Sequence, residues 1–151
     1  MDIKVYNSEK FERNTWWYII FAVLFASIFI LSLLNENFVG AVLLFFLLGA
    51  YFYYSVTNNQ LVTMKIDKGT LIVWDKVYSW TSLAGYVIEL DPKTQLIKNL
   101  VIITRNSHTI YTLNDDNEKI RDFIVALDQE VGMLDQYSQT FLEKMARRFK
   151  L

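Results

Sequence analysis

The sequence has few of the residues that build disulfide, thiol or metal centres. It contains no cysteine, one histidine and one proline among 151 residues. The missing thiols exclude a disulfide framework and a cysteine nucleophile, and a single histidine cannot assemble a zinc site of the usual His and Cys ligands. A net charge of -1 excludes a purely basic nucleic-acid binder, so we expect no nucleic-acid partner.

Charged residues are also missing from two long stretches of the chain. Thr15–Leu34 and Phe38–Val56 contain no Asp, Glu, Lys or Arg, and only a three-residue linker separates them. A helix of about 20 residues rises about 30 Å, which matches the hydrocarbon core of a bilayer. The sequence therefore predicts a transmembrane helical hairpin over residues 15–56. A cleaved signal peptide fits the first stretch less well. The apolar region of a signal peptide is shorter than this stretch, and a small-residue cleavage site follows it.

The positions of the cations predict the orientation of this hairpin. Lys4, Lys10 and Arg13 precede the first helix, whereas the linker carries Glu36 and no cation. By the positive-inside rule, both termini face the cytoplasm. Six amphipathic rings lie at the start of the first helix and the end of the second, which would place them at one headgroup level. They are Trp16, Trp17, Tyr18, Tyr51, Tyr53 and Tyr54.

The residues after the hairpin resemble an ordinary globular chain, with twelve basic and twelve acidic side chains. Short segments rich in β-branched and aromatic residues alternate with turn sequences such as Asp67-Lys68-Gly69. The predicted strands are Leu61–Ile66, Thr70–Trp74, Lys76–Trp80, Ala84–Leu90, Leu96–Arg105 and His108–Leu113. We expect a half-open antiparallel β-barrel of six to seven strands.

Two helices are predicted to follow the strands. The first has Ile120, Phe123, Ile124 and Leu127 on one face, which would cap the barrel. For this helix we expect a capping box formed by Asp115 and Glu118, and an end at Gly132.

The second predicted helix, over about Asp135–Phe149, has an apolar side and a basic end. Its apolar residues are Tyr137, Phe141, Leu142, Met145 and Phe149, and its cations are Lys144, Arg147, Arg148 and Lys150. Three interpretations fit this pattern: the helix lies on an anionic leaflet, its apolar side packs on the domain, or it docks into a groove of a partner.

The layout of a helical hairpin, a row of short strands and an amphipathic helix resembles that of small bacterial membrane proteins with a pleckstrin-homology-like domain. The resemblance covers Leu61 to about Val131 for the domain, and the whole chain for the layout. It implies a half-open barrel and a non-catalytic role in binding or assembly. Phosphoinositide-binding relatives cluster cations at the first hairpin, but here Asp67 and Asp75 interrupt Lys65, Lys68 and Lys76.

No residue pattern predicts catalysis. His108 follows Asn106-Ser107 and is interpreted as an exposed turn residue, while Asp115, Asp116 and Glu118 lack the spacing of a calcium loop. The sequence contains no P-loop, dinucleotide fingerprint or G-x-S-x-G motif. We therefore expect no enzyme, cofactor or metal site.

The expected organisation has four parts: a cytoplasmic segment at 1–14, the hairpin with helices at 15–34 and 38–56, a domain at 57–131, and a basic amphipathic helix at 132–151. The expected function is a membrane-bound module that binds a protein partner or assembles with itself. The alternative is an accessory subunit, or an element that binds anionic lipid headgroups, in a transport or envelope-maintenance machine.

Overall fold

A computed structural model describes residues 1–57 and 60–150, without the side chains of residues 55–57. Residues 58 and 59 of the predicted domain, and Leu151 of the predicted last helix, lie outside the described residues. Four helices and seven antiparallel strands form an α+β fold. In chain order the elements are β1 (Asp2–Tyr6), α1 (Thr15–Leu34), α2 (Phe38–Thr57), β2 (Leu61–Asp67), β3 (Thr70–Val73), β4 (Lys76–Ser79), β5 (Leu83–Leu90), β6 (Ile97–Thr104), β7 (His108–Leu113), α3 (Asn117–Asp128) and α4 (Phe141–Phe149).

The chain divides into two compact units. One contains Met1–Lys10 and Asn58–Phe141, and the other contains Phe11–Thr57 and Leu142–Leu151. The first unit holds one open sheet with the strand order β4-β3-β2-β1-β7-β6-β5. The six predicted strands are confirmed with small changes at their ends.

The seventh strand, β1, was missed by sequence reasoning. Asp2–Tyr6 pairs with β2 along its whole length, from Asp2 opposite Lys65 to Tyr6 opposite Leu61. It also pairs with β7, where Val5 faces Leu113. Residues assigned from the sequence to a separate 1–14 segment thus form a central strand, and the helices α1 and α2 are inserted between the first and second strands of one sheet.

The core of this unit lies between one face of the sheet and α3. The predicted apolar face of α3 is confirmed, because Ile120, Phe123, Ile124 and Leu127 are all buried in the same cluster as Ile3 and Val5 of β1. Ile3 and Val5 are two positions apart, so they share one face of β1. Together with the apolar face of α3 they form one cluster.

The ends of α3 differ from the prediction. Asp116, and not Asp115, occupies the N-cap position, and its side chain makes no capping hydrogen bond. The Asp115 carboxylate instead accepts hydrogen bonds from the backbone N–H groups of Asp116 at 2.9 Å and Lys4 at 3.1 Å. These two hydrogen bonds lower the pKa of Asp115. The helix ends at Asp128, four residues before Gly132. Gly132 instead accepts a backbone hydrogen bond from β5.

Gly132 and Leu134 extend the sheet at the edge of β5. The backbone N–H of Tyr86 donates to the Gly132 carbonyl at 3.3 Å, and the N–H of Leu134 donates to the Tyr86 carbonyl at 2.8 Å. The Leu134 side chain fills the space beside Gly85, where an added Cβ would lie only 2.6 Å from it. Glycine at position 85 therefore permits this close contact.

The segment after Leu134 covers the second face of β5, β6 and β7. In this face Glu89, Asn99 and Thr112 lie opposite one another in the register of the three strands. The buried Asn99 amide donates to Glu89 Oε2 at 2.9 Å and accepts from Thr112 Oγ1 at 2.8 Å. The Tyr137 hydroxyl donates to the other Glu89 oxygen at 2.7 Å. Both faces of these strands are therefore occupied.

These contacts correct two sequence-based predictions. The last helix begins at Phe141 rather than near Asp135, and Tyr137, predicted to lie in it, instead donates its hydroxyl to Glu89 of the sheet. His108 is a half-buried residue of β7 and not an exposed turn residue. Its ring lies 4.9 Å from the Tyr137 ring, centroid to centroid.

Two core tyrosines carry the clearest ionisation changes of this unit. Burial, and then a hydrogen bond with the Tyr78 hydroxyl at 2.9 Å, raise the pKa of Tyr111. Burial, and then the Asp128 carboxylate that accepts the Tyr86 hydroxyl at 2.9 Å, raise the pKa of Tyr86. Both phenols stay protonated at neutral pH, so they act as hydrogen-bonding groups of the core.

Candidate membrane-interface site

Among the residues that the structure describes, one helix, α1, is long and apolar enough to cross a membrane, with 20 residues and a mean hydropathy of 2.5. Asn14 caps its start, since the Asn14 side chain accepts the backbone N–H of Trp17 at 3.0 Å. Helix α2 also has 20 residues, but its apolar stretch with described side chains, Phe38–Tyr54, is shorter.

The start of α1 and the end of α2 lie beside each other. The ring centroids of Phe21 and Tyr51 are 5.6 Å apart. The Arg13 guanidinium lies 4.6 Å from the ring centroid of Trp17 and 5.8 Å from that of Tyr51. A cation over two rings stabilises this end of the hairpin by cation–π attraction.

The six predicted interface rings divide into two groups. Trp17 and Tyr51 are half-buried in the contacts with Arg13 and Phe21. The other four rings project from the same end of the hairpin, with exposed fractions of 69% for Trp16, 49% for Tyr18, 75% for Tyr53 and 67% for Tyr54. The Tyr51 hydroxyl is buried and has no hydrogen-bond partner among the residues that the structure describes.

The end of α4 is attached to the start of α1 by three hydrogen bonds. The Trp17 indole N–H donates to the Phe149 carbonyl at 2.7 Å, and Arg13 Nε donates to the Lys150 carbonyl at 2.8 Å. The Lys150 ammonium donates in turn to the Glu12 carbonyl at 2.7 Å. We call these five residues the clasp. No local sequence pattern predicts the clasp, because more than 130 positions separate its two halves.

The apolar side chains of α4 are left uncovered by the clasp. No residue of α4 is buried, and the exposed fractions are 74% for Phe141, 77% for Leu142 and 51% for Phe149. Large apolar side chains of α4 are therefore exposed.

The four predicted cations of this region have different surroundings. Lys144 and Arg148 are exposed, Arg147 is half-buried, and Lys150 belongs to the clasp. Lys144 and Arg148 are one turn apart, and each immediately precedes an apolar residue, Met145 and Phe149. They therefore flank the apolar side of α4, which is the arrangement of a helix lying at a lipid headgroup level.

Among the described residues, no three His, Asp or Glu side chains gather into a candidate metal site. Comparisons with protein-family models, with curated proteins and with solved structures found no match for this chain. The chemistry of this region is therefore that of its own residues: uncovered apolar side chains, exposed cations and exposed aromatic rings.

The clasp predicts different effects for two adjacent tryptophans. Trp17→Phe removes the indole donor to the Phe149 carbonyl but keeps an aromatic ring, and one such hydrogen bond contributes about 1 kcal/mol. We expect the backbone amides of α4 to exchange roughly fivefold faster in this variant, measured by hydrogen exchange and mass spectrometry on the full-length protein in detergent. Trp16→Phe is the matched control, and equal rates in both variants would contradict the clasp.

Proposed function

We propose that this chain is a multi-pass integral protein of a prokaryotic inner membrane, with both termini cytoplasmic. It presents a pleckstrin-homology-like domain as a non-catalytic module that binds a protein partner or assembles with itself. The insertion of α1 and α2 between β1 and β2 carries this proposal, since it leaves the sheet joined to the hairpin by two chain connections. Seven antiparallel strands followed by an amphipathic helix are consistent with the half-open barrel that the resemblance implies.

The clasp adds an argument for the orientation. It attaches the basic end of α4, with Lys144 and Arg148, to the start of α1. In the sequence, Lys4, Lys10 and Arg13 precede this same end of the hairpin. The opposite end carries Glu36 and no cation. This asymmetry favours a cytoplasmic location for the basic end.

The topology is tested by placing single cysteines in a chain that has none of its own. Asn35→Cys in the helix linker should react with an impermeant maleimide added to intact spheroplasts. Ser107→Cys in the β6–β7 turn should react only after the membrane is permeabilised. The reverse pattern would overturn the orientation, and labelling of both positions from outside would overturn a hairpin with a cytoplasmic domain.

Trp74 is the domain residue that best fits a contact with a protein partner. It stands in the two-residue turn between β3 and β4, its side chain is 59% exposed, and its φ of 54° is unusual for a bulky residue. Neighbouring Val77 on the edge strand β4 is 64% exposed. Exposed tryptophans commonly dominate the binding energy of interfaces, and strained backbone persists where it serves a role.

Replacement of this residue separates binding from folding. Trp74→Gly removes the ring, and glycine adopts a positive φ without strain, so the melting temperature should stay near that of the parent protein. Affinity purification from mild detergent should then recover roughly tenfold less partner, or less homo-oligomer, than the parent. Val125→Ala, an exposed change on α3, is the control. Recovery of monomer alone from the parent protein would count against the binding module.

A second candidate function is the binding of anionic lipid headgroups, and α4 favours it. Its uncovered apolar residues and flanking cations suit the surface of an anionic leaflet, where each cation contributes about 1 kcal/mol. A fragment of residues 57–151 would not test this, because it lacks the central strand β1. The full chain in lipid nanodiscs is the appropriate sample.

A dye on α4 reports whether the helix enters an anionic leaflet. An environment-sensitive fluorophore on Met145→Cys should shift to shorter wavelength when phosphatidylglycerol replaces part of the phosphatidylcholine in the nanodisc. Lys144→Gln with Arg148→Gln should reduce this shift, and added salt should weaken it in the parent. Lys68→Gln with Lys93→Gln, two exposed cations of domain turns, is the control pair. A shift that is independent of lipid charge would rule out the headgroup function.

A further inference from the structure

A cleft of about 440 Å³ lies between α1 and α2. Its walls come from both helices, and the Tyr18 hydroxyl is the one polar side-chain group among the lining residues. They are Tyr18, Phe21, Ala22, Phe25, Ala26 and Phe29 of α1, with Leu44, Phe45, Leu48 and Phe52 of α2. Such a surface suits hydrocarbon, and it offers a polar ligand only the Tyr18 hydroxyl.

The length of the cleft indicates which hydrocarbon fits. On α1 the lining runs from Tyr18 to Phe29, which is about 16 Å at the rise of an α-helix. That is roughly half of a 30 Å hydrocarbon core, or the depth of one leaflet. A transmembrane helix of another protein would need a groove across both leaflets. A lipid acyl chain needs one leaflet only.

The end of the cleft nearest the start of α1 lies next to the clasp. Tyr18, the lining residue closest to the start of α1, contacts the Trp17 ring at a centroid distance of 5.3 Å. Trp17 also stacks on Phe21, a second lining residue, at 4.9 Å, and it donates its indole N–H to the last turn of α4. The exposed cation Arg148 belongs to that turn, and Lys144 precedes it by one turn. Positive charge beside an apolar cleft complements a lipid with an anionic phosphate.

We propose that the cleft binds one acyl chain of an anionic phospholipid from the cytoplasmic leaflet, with Lys144 and Arg148 attracting its headgroup. This inference rests on the proposed function, because it requires the hairpin to cross the membrane. It goes beyond that function by assigning a lipid site to the hairpin itself. Ala22 and Ala26 leave room between the phenylalanine rings, so a larger side chain at either position fills the site.

Spin-labelled lipids test the site in the full-length protein. The samples are nanodiscs that contain phosphatidylglycerol or phosphatidylcholine labelled on the acyl chain. The parent protein should give a motionally restricted lipid signal in the electron paramagnetic resonance spectrum, stronger with phosphatidylglycerol. Ala26→Phe should remove most of it, whereas Leu24→Phe, on a part of α1 that does not line the cleft, should not. Lys144→Gln with Arg148→Gln should lower the preference for phosphatidylglycerol roughly fivefold for each cation.

The possible outcomes separate this inference from the proposed function. Maleimide labelling of Asn35→Cys in each variant shows whether the hairpin is inserted; failure there overturns the membrane topology itself. Correct insertion without a restricted signal, or equal signals in Ala26→Phe and Leu24→Phe, overturns the lipid site. Disulfide formation between two copies that carry Ala22→Cys would also overturn it, because a second chain would then occupy the cleft.

Discussion

The pairing of β1 with both β2 and β7 is the interaction on which the sheet depends. Without this strand, β2 to β4 and β5 to β7 would be two separate three-stranded sheets. Ile3 and Val5 also supply apolar side chains that pack in the core between the sheet and α3. Strand β1 must therefore pair with one strand that follows the whole hairpin, and with another more than 100 residues away. Contacts of such sequence separation form late and at high entropic cost.

A second constraint concerns β5, β6 and β7, the three strands on one side of β1. Both faces of β5, β6 and β7 make contacts, one in the core and the other with Tyr137, which touches Glu89 and His108. The buried Asn99 amide on the second face would cost free energy without its partners Glu89 and Thr112. Tyr137 completes this network by donating to Glu89. The hydrogen bond of Tyr137 thus ties the segment to the sheet, and α4 begins four residues beyond it, at Phe141.

The sequence predicted those elements whose signals are local. The uncharged run of α1, the alternation in six strands and the apolar stripe of α3 each extend over enough residues to define a period. Strand β1 has only Ile3 and Val5 as a pattern, which is too short to distinguish from chance. Tyr137 lies at a helical spacing from Phe141, but its hydrogen bond to Glu89 overrides that pattern. For the candidate site, ring and cation positions were predictable, whereas the attachment of Phe149 and Lys150 to residues 12–17 was not.

The clasp explains why α4 keeps an uncovered apolar side. The last carbonyl groups of a helix have no partner within it, and those of Phe149 and Lys150 accept hydrogen bonds from Trp17 and Arg13. The attachment therefore uses backbone groups at the end of the helix and leaves its side chains available. Burial of a large apolar side chain stabilises a protein by about 1.5–3 kcal/mol relative to its exposure to water. Phe141 and Leu142 lack this stabilisation while they are exposed. The core of the sheet already has α3 as its helical partner. A bilayer at the level of the interfacial rings would bury this side of α4 without any further change in the chain.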